Sequence, residues 1–183
     1  MSYLEQSFKK EIIPVLQKEL KIANPQAVPR LEKIVLNAGV GKIVSQQPKA
    51  LERIVGDMAL ISGQKPIIVK ARRAISGFKL REGAPVGIKM TLRGKRMYDF
   101  IERLVKVILP RMRNFQGLSK KSIDQNHNLT IGLKDVAAFP ELSHQKKIEY
   151  SFGLEISFVT KAKTNNEALL LFEKLGLIFK KDN

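Results

Sequence analysis

The 183-residue sequence contains no cysteine or tryptophan, only two histidines, and 17 acidic residues against 33 lysines and arginines. The missing cysteine excludes disulfides, thiolate zinc sites, iron–sulfur clusters and thiol nucleophiles. His127 and His144 stand 17 positions apart with no HExxH or paired spacing around them, so a transition-metal site would lack ligands. Both are expected to be solvated surface residues. No apolar run approaches the roughly 20 residues that cross a bilayer, and the opening MSYLEQSFKK has no charged-then-apolar signal pattern. These absences predict a soluble cytoplasmic protein with no metal, no cofactor and no membrane partner.

What is present is an ordinary globular composition carrying an unusual charge. Apolar residues make up 44% and charged residues 27%, enough for a self-sufficient core. The formal net charge of +16 costs self-repulsion unless a polyanion neutralises it, so nucleic acid is the leading partner class.

Apolar spacing predicts a helix over 4–22 bent at Pro14, where the missing N–H and the ring must kink or restart it. A strand over 31–36 should end at Asn37 and a Gly39-Val40-Gly41 turn, and a helix after Pro48 should stop at Gly63. A short strand is expected over 66–70. A second strand over 86–93 should place Val86, Ile88, Met90 and Leu92 on an aliphatic face, with Lys89, Thr91 and Arg93 on the other. Between these strands, the loop 71–85 carries Arg72, Arg73, Lys79 and Arg81 against the single Glu82. A helix over 98–109 should end at Pro110, strands should follow over 128–133 and 153–159, and Thr164 to Glu167 has capping-box spacing for a last helix that Gly176 stops. This order predicts one α+β domain over 1–183. Helices would gather on one face of a mostly antiparallel, five-stranded curved sheet, leaving the other face free to bind.

Enzyme chemistry finds no support. The Gly39-Val40-Gly41 pair lacks the third glycine of a dinucleotide loop, since Val44 stands there, and Gly41-Lys42 is followed by Ile43 rather than a magnesium-binding hydroxyl. None of Ser45, Ser62, Ser76 or Ser119 lies in a GxSxG elbow. The acids are scattered, and several suit surface ion pairs such as Glu102 with Lys106. A phosphate-handling enzyme therefore lacks its site. The bases do cluster: residues 65–113 hold fourteen lysines and arginines against three acids, and arginine, whose planar fork grips phosphate, is the commoner base there. They concentrate on strands and a loop rather than along one helix face, which disfavours a groove-entering DNA-binding helix. Few aromatics are present, so recognition of folded RNA by backbone and shape fits better than single-strand stacking.

Several motifs together resemble one family. They are Val28-Pro29-Arg30, Lys33 to Gly41 (KIVLNAGVG), Ser62 to Pro66 (SGQKP), Gly77 to Gly83 (GFKLREG) and Thr91 to Tyr98 (TLRGKRMY), continued by Leu109-Pro110-Arg111, Phe139-Pro140-Glu141 and Lys163-Thr164. In these the chain is similar to the 5S-rRNA-binding large-subunit ribosomal proteins of bacteria and organelles, the L-five family. The resemblance implies a ribosome-bound, non-enzymatic structural protein that holds 5S rRNA in the central protuberance. Asn37, Gln64 and Thr91 match the family's RNA-contacting positions, with Lys33, Lys89 and Arg93 beside them on the same surface. It implies that the basic loop, through Arg72, Arg73, Lys79 and Arg81, reaches the peptidyl-site tRNA. It further implies contact with 23S rRNA and neighbouring 5S-associated ribosomal proteins, and an intersubunit bridge to a small-subunit head protein involving Arg111, Arg113 and His144. Ala27 and Ala38 replace larger residues common in the family, and Gln116 stands where arginine is frequent.

Overall fold

A computed structural model describes residues 3–78, 80–112, 115–134, 136–143 and 151–180. The strands are β1 (Leu31–Gly39), β2 (Ile67–Lys70), β3 (Pro85–Leu92), β4 (Leu129–Leu133) and β5 (Leu154–Thr160), forming one antiparallel sheet in the order β2-β3-β1-β5-β4. The helical segments are α1 (3–20), α2 (Gly41–Gln46), α3 (Ala50–Ser62), α4 (94–111), α5 (Pro140–Ser143) and α6 (Asn165–Lys174). The expected α+β class holds. Two compact units arise from these elements: Met1–Ile34 with Leu92–Ile131 and Ser157–Asn183, and Val35–Thr91 with Gly132–Ile156.

In the first unit, both prolines that should interrupt helices are accommodated by the same device. A proline inside a regular helix collides with the carbonyl four residues back and has no N–H to give it. Here a π turn, Phe8–Ile12 before Pro14 and Leu104–Ile108 before Pro110, shifts the hydrogen bond to the fifth residue back, from Ile13 N to Phe8 O and from Leu109 N to Leu104 O. The expected bend at Pro14 is thus a π turn followed by an α-helix over Ile13–Leu20. The expected stop at Pro110 is a correction, because α4 continues to Arg111. That helix also starts at Gly94, four residues before the reading from periodicity, since its first turn is mostly polar. Along it, Glu102 and Lys106 pair at 2.7 Å as expected, an exposed contact worth little to stability. The core of this unit closes around Leu16, Ile34, Leu92, Phe100, Ile101, Leu129, Phe158 and Phe172, all with no measurable exposure. Phe158 and Phe172 meet edge to face at 6.1 Å between centroids. Thr164 caps α6 by accepting from Glu167 N at 3.3 Å, as the capping-box spacing requires.

His127 is not the solvated histidine expected. It is half-buried with φ 62, its ring Nδ1 lies 2.6 Å from Asn165 Oδ1, and its carbonyl accepts from Thr160 Oγ1 at 2.9 Å. The turn that carries it is tied down by Asp124, whose Oδ1 accepts from the N–H of Asn126 and of Asn128, both at 2.8 Å, and whose Oδ2 accepts from Asn128 Nδ2 at 3.1 Å. Partial burial pushes the Asp124 carboxyl up, but the hydrogen bonds from Asn128 and Asn126 outweigh it and hold the pKa below its ordinary value. A carboxylate with a depressed folded-state pKa adds stability that is whole above its unfolded value of about 4 and is lost as pH falls through the lowered one. The melting temperature of Asp124→Asn is therefore expected to change less than wild type's as pH falls below the ordinary aspartate value of about 4. Parallel pH profiles for the two proteins would contradict this role.

In the second unit, α3 buries Ala50, Ile54, Met58 and Ile61 and ends at Gly63, which takes the left-handed conformation, φ 67, that a side chain would strain. β1 runs to Gly39, beyond the expected end, and its next residue bonds to β3 through Val40 N to Val86 O at 3.1 Å. Gly41 opens the helix α2, so the expected tight turn at 39–41 is corrected. β2 pairs with β3 in antiparallel register, Ile67 opposite Lys89 and Val69 opposite Gly87. On the core side, Ile88 and Met90 of β3, Leu36 and Ala38 of β1, and Leu154 and Ile156 of β5 are buried.

Candidate nucleic-acid interface

The strand alternation that buries those residues turns their neighbours outward. On β1 this places Asn37 in the open, following the half-buried Lys33 and Val35. On β3 it exposes Lys89 and leaves Thr91 half-buried. Arg93 stands one residue past the end of β3 as the residue preceding α4, with its backbone still extended at φ −137, ψ 161. Its guanidinium lies 3.6 Å from Glu32, so part of its charge is already answered within the chain.

Gln64 comes from a different element and is steered into place by the end of α3. Gly63 reverses the chain, and Gln64 N donates to Ser62 Oγ at 3.1 Å. Its side chain then donates from Nε2 to the Thr91 carbonyl at 3.4 Å, joining two of the three positions singled out in the sequence. Among the described residues, Asn37 makes no hydrogen bond to either of them. Its Oδ1 lies 4.0 Å from where a Cβ on Gly87 would stand, on the neighbouring strand β3. Sequence reading missed one member of that face. Glu155, outward-facing on β5, accepts from Asn37 Nδ2 at 3.2 Å. Its alternation with Leu154 and Ile156 was the available signal.

The basic loop 71–85 is more ordered than its sequence implied. Ala71 N bonds to Ala84 O at 2.8 Å and Gly83 N to Ala71 O at 3.0 Å, while Ile75 and Leu80 exchange bonds of 2.9 and 3.1 Å around a 3₁₀ turn at Ser76–Phe78. The loop is a hairpin extension of β2 and β3. Arg72, Arg73 and Arg81 are exposed on it, and among the described residues no ion pair engages them. Lys79 lies outside the described residues. Arg111 is exposed in the last turn of α4, while Arg113 and His144 also lie outside the described residues. Among the described residues no cluster of three or more acids or histidines could hold a metal ion, and no helix is long and apolar enough to cross a membrane.

Comparison with known proteins adds a second line. The family described as Ribosomal protein L5 matches residues 24–81, and the family described as the C-terminus of the same ribosomal proteins matches residues 85–179. The large ribosomal subunit protein uL5 of Syntrophomonas wolfei is 45% identical over 180 residues, covering 98% of this chain and 100% of that protein. The uL5 proteins of Symbiobacterium thermophilum and Mycoplasma mycoides are each 46% identical and cover 98% of this chain, which in turn spans 98% and 99% of them.

Proposed function

The chain belongs to the ribosomal protein L5 family, structural and non-enzymatic components of the large ribosomal subunit, and on that premise we propose that its outward sheet face binds 5S rRNA. The observation that carries the reading is the Gln64 to Thr91 bond, which holds the Gln64 amide against the backbone of the strand whose outward positions are Thr91 and the exposed Lys89. Lysine and arginine supply affinity for the phosphate backbone, and placed polar groups supply register on a folded RNA. Lys33 and Arg93 are assigned to the same RNA partner. The arginines of the 71–85 hairpin, exposed and engaged in no ion pair among the described residues, suit a second RNA, and we assign them to the peptidyl-site tRNA. The same reading places the protein in the central protuberance of cytoplasmic ribosomes, against 23S rRNA and neighbouring 5S-associated proteins. Arg111, Arg113 and His144 are assigned to a bridge with a small-subunit head protein.

Sedimentation tests the central part. The protein is expected to co-migrate with large subunits through a high-salt gradient and to be lost from particles stripped of 5S rRNA; retention on stripped particles would overturn the reading. Replacing Arg72, Arg73 and Arg81 with glutamine is expected to leave binding to isolated 5S rRNA within about two-fold while cutting tRNA crosslinking in assembled ribosomes several-fold, because these charges address a different phosphate backbone. Equal losses in the two assays would merge hairpin and sheet into one site.

A further inference from the structure

Glu155 is the one acid among the described strand residues of its unit, on a face whose proposed partner is a polyanion. It is exposed, and among the described residues no lysine or arginine pairs with it. Its contact is the amide of Asn37, at 3.2 Å. An ionised carboxylate accepts hydrogen bonds and cannot donate them, so this contact obliges Asn37 to turn Nδ2 toward Glu155 and Oδ1 away from it. The Oδ1 then lies on the Gly87 side, 4.0 Å from where a Cβ on that residue would stand, and Asn37 itself is exposed. Two acceptor groups, one of them charged, therefore lie side by side on the open sheet.

A phosphate oxygen is also an acceptor and carries negative charge, so it cannot bond to either group and is repelled by one of them. Asn37 keeps a second Nδ2–H that can donate, but what the two acceptor oxygens can bond is a donor. Folded RNA presents two kinds at its shallow minor groove without unpairing, the ribose 2′-hydroxyl and the amino group of guanine. We infer that Glu155, with Asn37 oriented by it, reads a hydrogen-bond donor on the docked RNA and is a specificity-determining residue of the sheet face. This inference rests on the reading of that face as an RNA site. Lys89, exposed on the same sheet face, would attract any polyanion, whereas a carboxylate on that face penalises a phosphate at that point and rewards an RNA that brings a donor to it. A charge-assisted bond of this kind is stronger than one between neutral groups.

Glu155→Gln tests the inference, because glutamine keeps the length of the side chain and an oxygen for Asn37 but removes the charge. Binding to 5S rRNA at fixed salt is expected to weaken about ten-fold or more, with the salt dependence unchanged. If Glu155 merely borders phosphates, the same substitution will tighten binding and steepen the salt dependence, and that result, or no change, would overturn the proposal. The two readings fail differently. If alanine at Asn37, Gln64 and Thr91 costs affinity while Glu155→Gln tightens binding, only the acceptor role is lost. If the triple alanine protein binds as wild type does, the sheet face itself is not the site. Transcripts with 2′-deoxy substitutions and transcripts with inosine in place of guanosine separate the two donors: the substitution that makes wild type and Glu155→Gln bind equally identifies the group read. A difference that persists with both transcript sets would also overturn the proposal.

Discussion

Alanine at Asn37, Gln64 and Thr91 together is expected to weaken 5S rRNA binding by about 100-fold or more, without altering its salt dependence. Each substitution deletes a polar partner of the RNA, at about 1–3 kcal/mol, and 1.4 kcal/mol corresponds to ten-fold in affinity. The losses at Gln64 and Thr91 will fall short of additivity because the two residues are in contact, although the 3.4 Å bond itself ends on the Thr91 carbonyl, which alanine keeps. Asn37, whose bond is to Glu155 on another strand, should contribute independently of them. The salt dependence should not move because no charge is removed and the number of neutralised phosphates is the same. Filter binding at several salt concentrations measures both quantities. An affinity within two-fold of wild type would remove 5S rRNA from this face, whereas a flattened salt slope would mean that the neutral residues act by positioning the neighbouring cations.

Phe158→Ala is expected to lower the unfolding free energy by about 3–5 kcal/mol, the usual cost of removing a buried phenyl ring and leaving a cavity. Phe158 has no measurable exposure, comes from the middle of β5, and meets Phe172 of α6 edge to face, so its loss also removes that ring contact. Phe158→Leu fills most of the same volume and should cost much less. Urea unfolding of the two variants against wild type checks the pair. A loss below about 1 kcal/mol for alanine, outside the range typical of buried phenylalanine, would mean that the site collapses around the smaller side chain.

How much of this was readable from the chain depends on the range of the interaction. α3, β3, β5 and α6 were legible because each carries its own pattern: an apolar stripe at helical spacing, alternation at period two, or a cap and a stop that act within a few residues. The charge map was equally legible, since counting bases between 65 and 113 requires no fold. α2 was missed because its six residues include neither an apolar stripe nor a capping side chain. The early start of α4 was missed because Gly94, Lys95 and Arg96 expose a polar first turn. The helical path through Pro110 was missed because a π turn upstream removes the clash that the proline would otherwise cause.

The site divides along the same line. Residue type and outward phase were enough to nominate Lys89 and Thr91, and the motifs that resemble the L-five family added Asn37 and Gln64. What the tertiary structure alone decided is which of these meet: Gln64 reaches Thr91 across 27 residues, and Asn37 reaches Glu155 across 118. It also decided that the 71–85 segment is a bonded hairpin rather than a bare loop, and that part of the charge of Arg93 is answered by Glu32. Local patterns are set by the 3.6- and 2-residue periods of the backbone and can be read from a short window. Strand neighbours are chosen by the packing of the whole sheet, so the carboxylate beside Asn37 has no signature near Asn37 in the sequence.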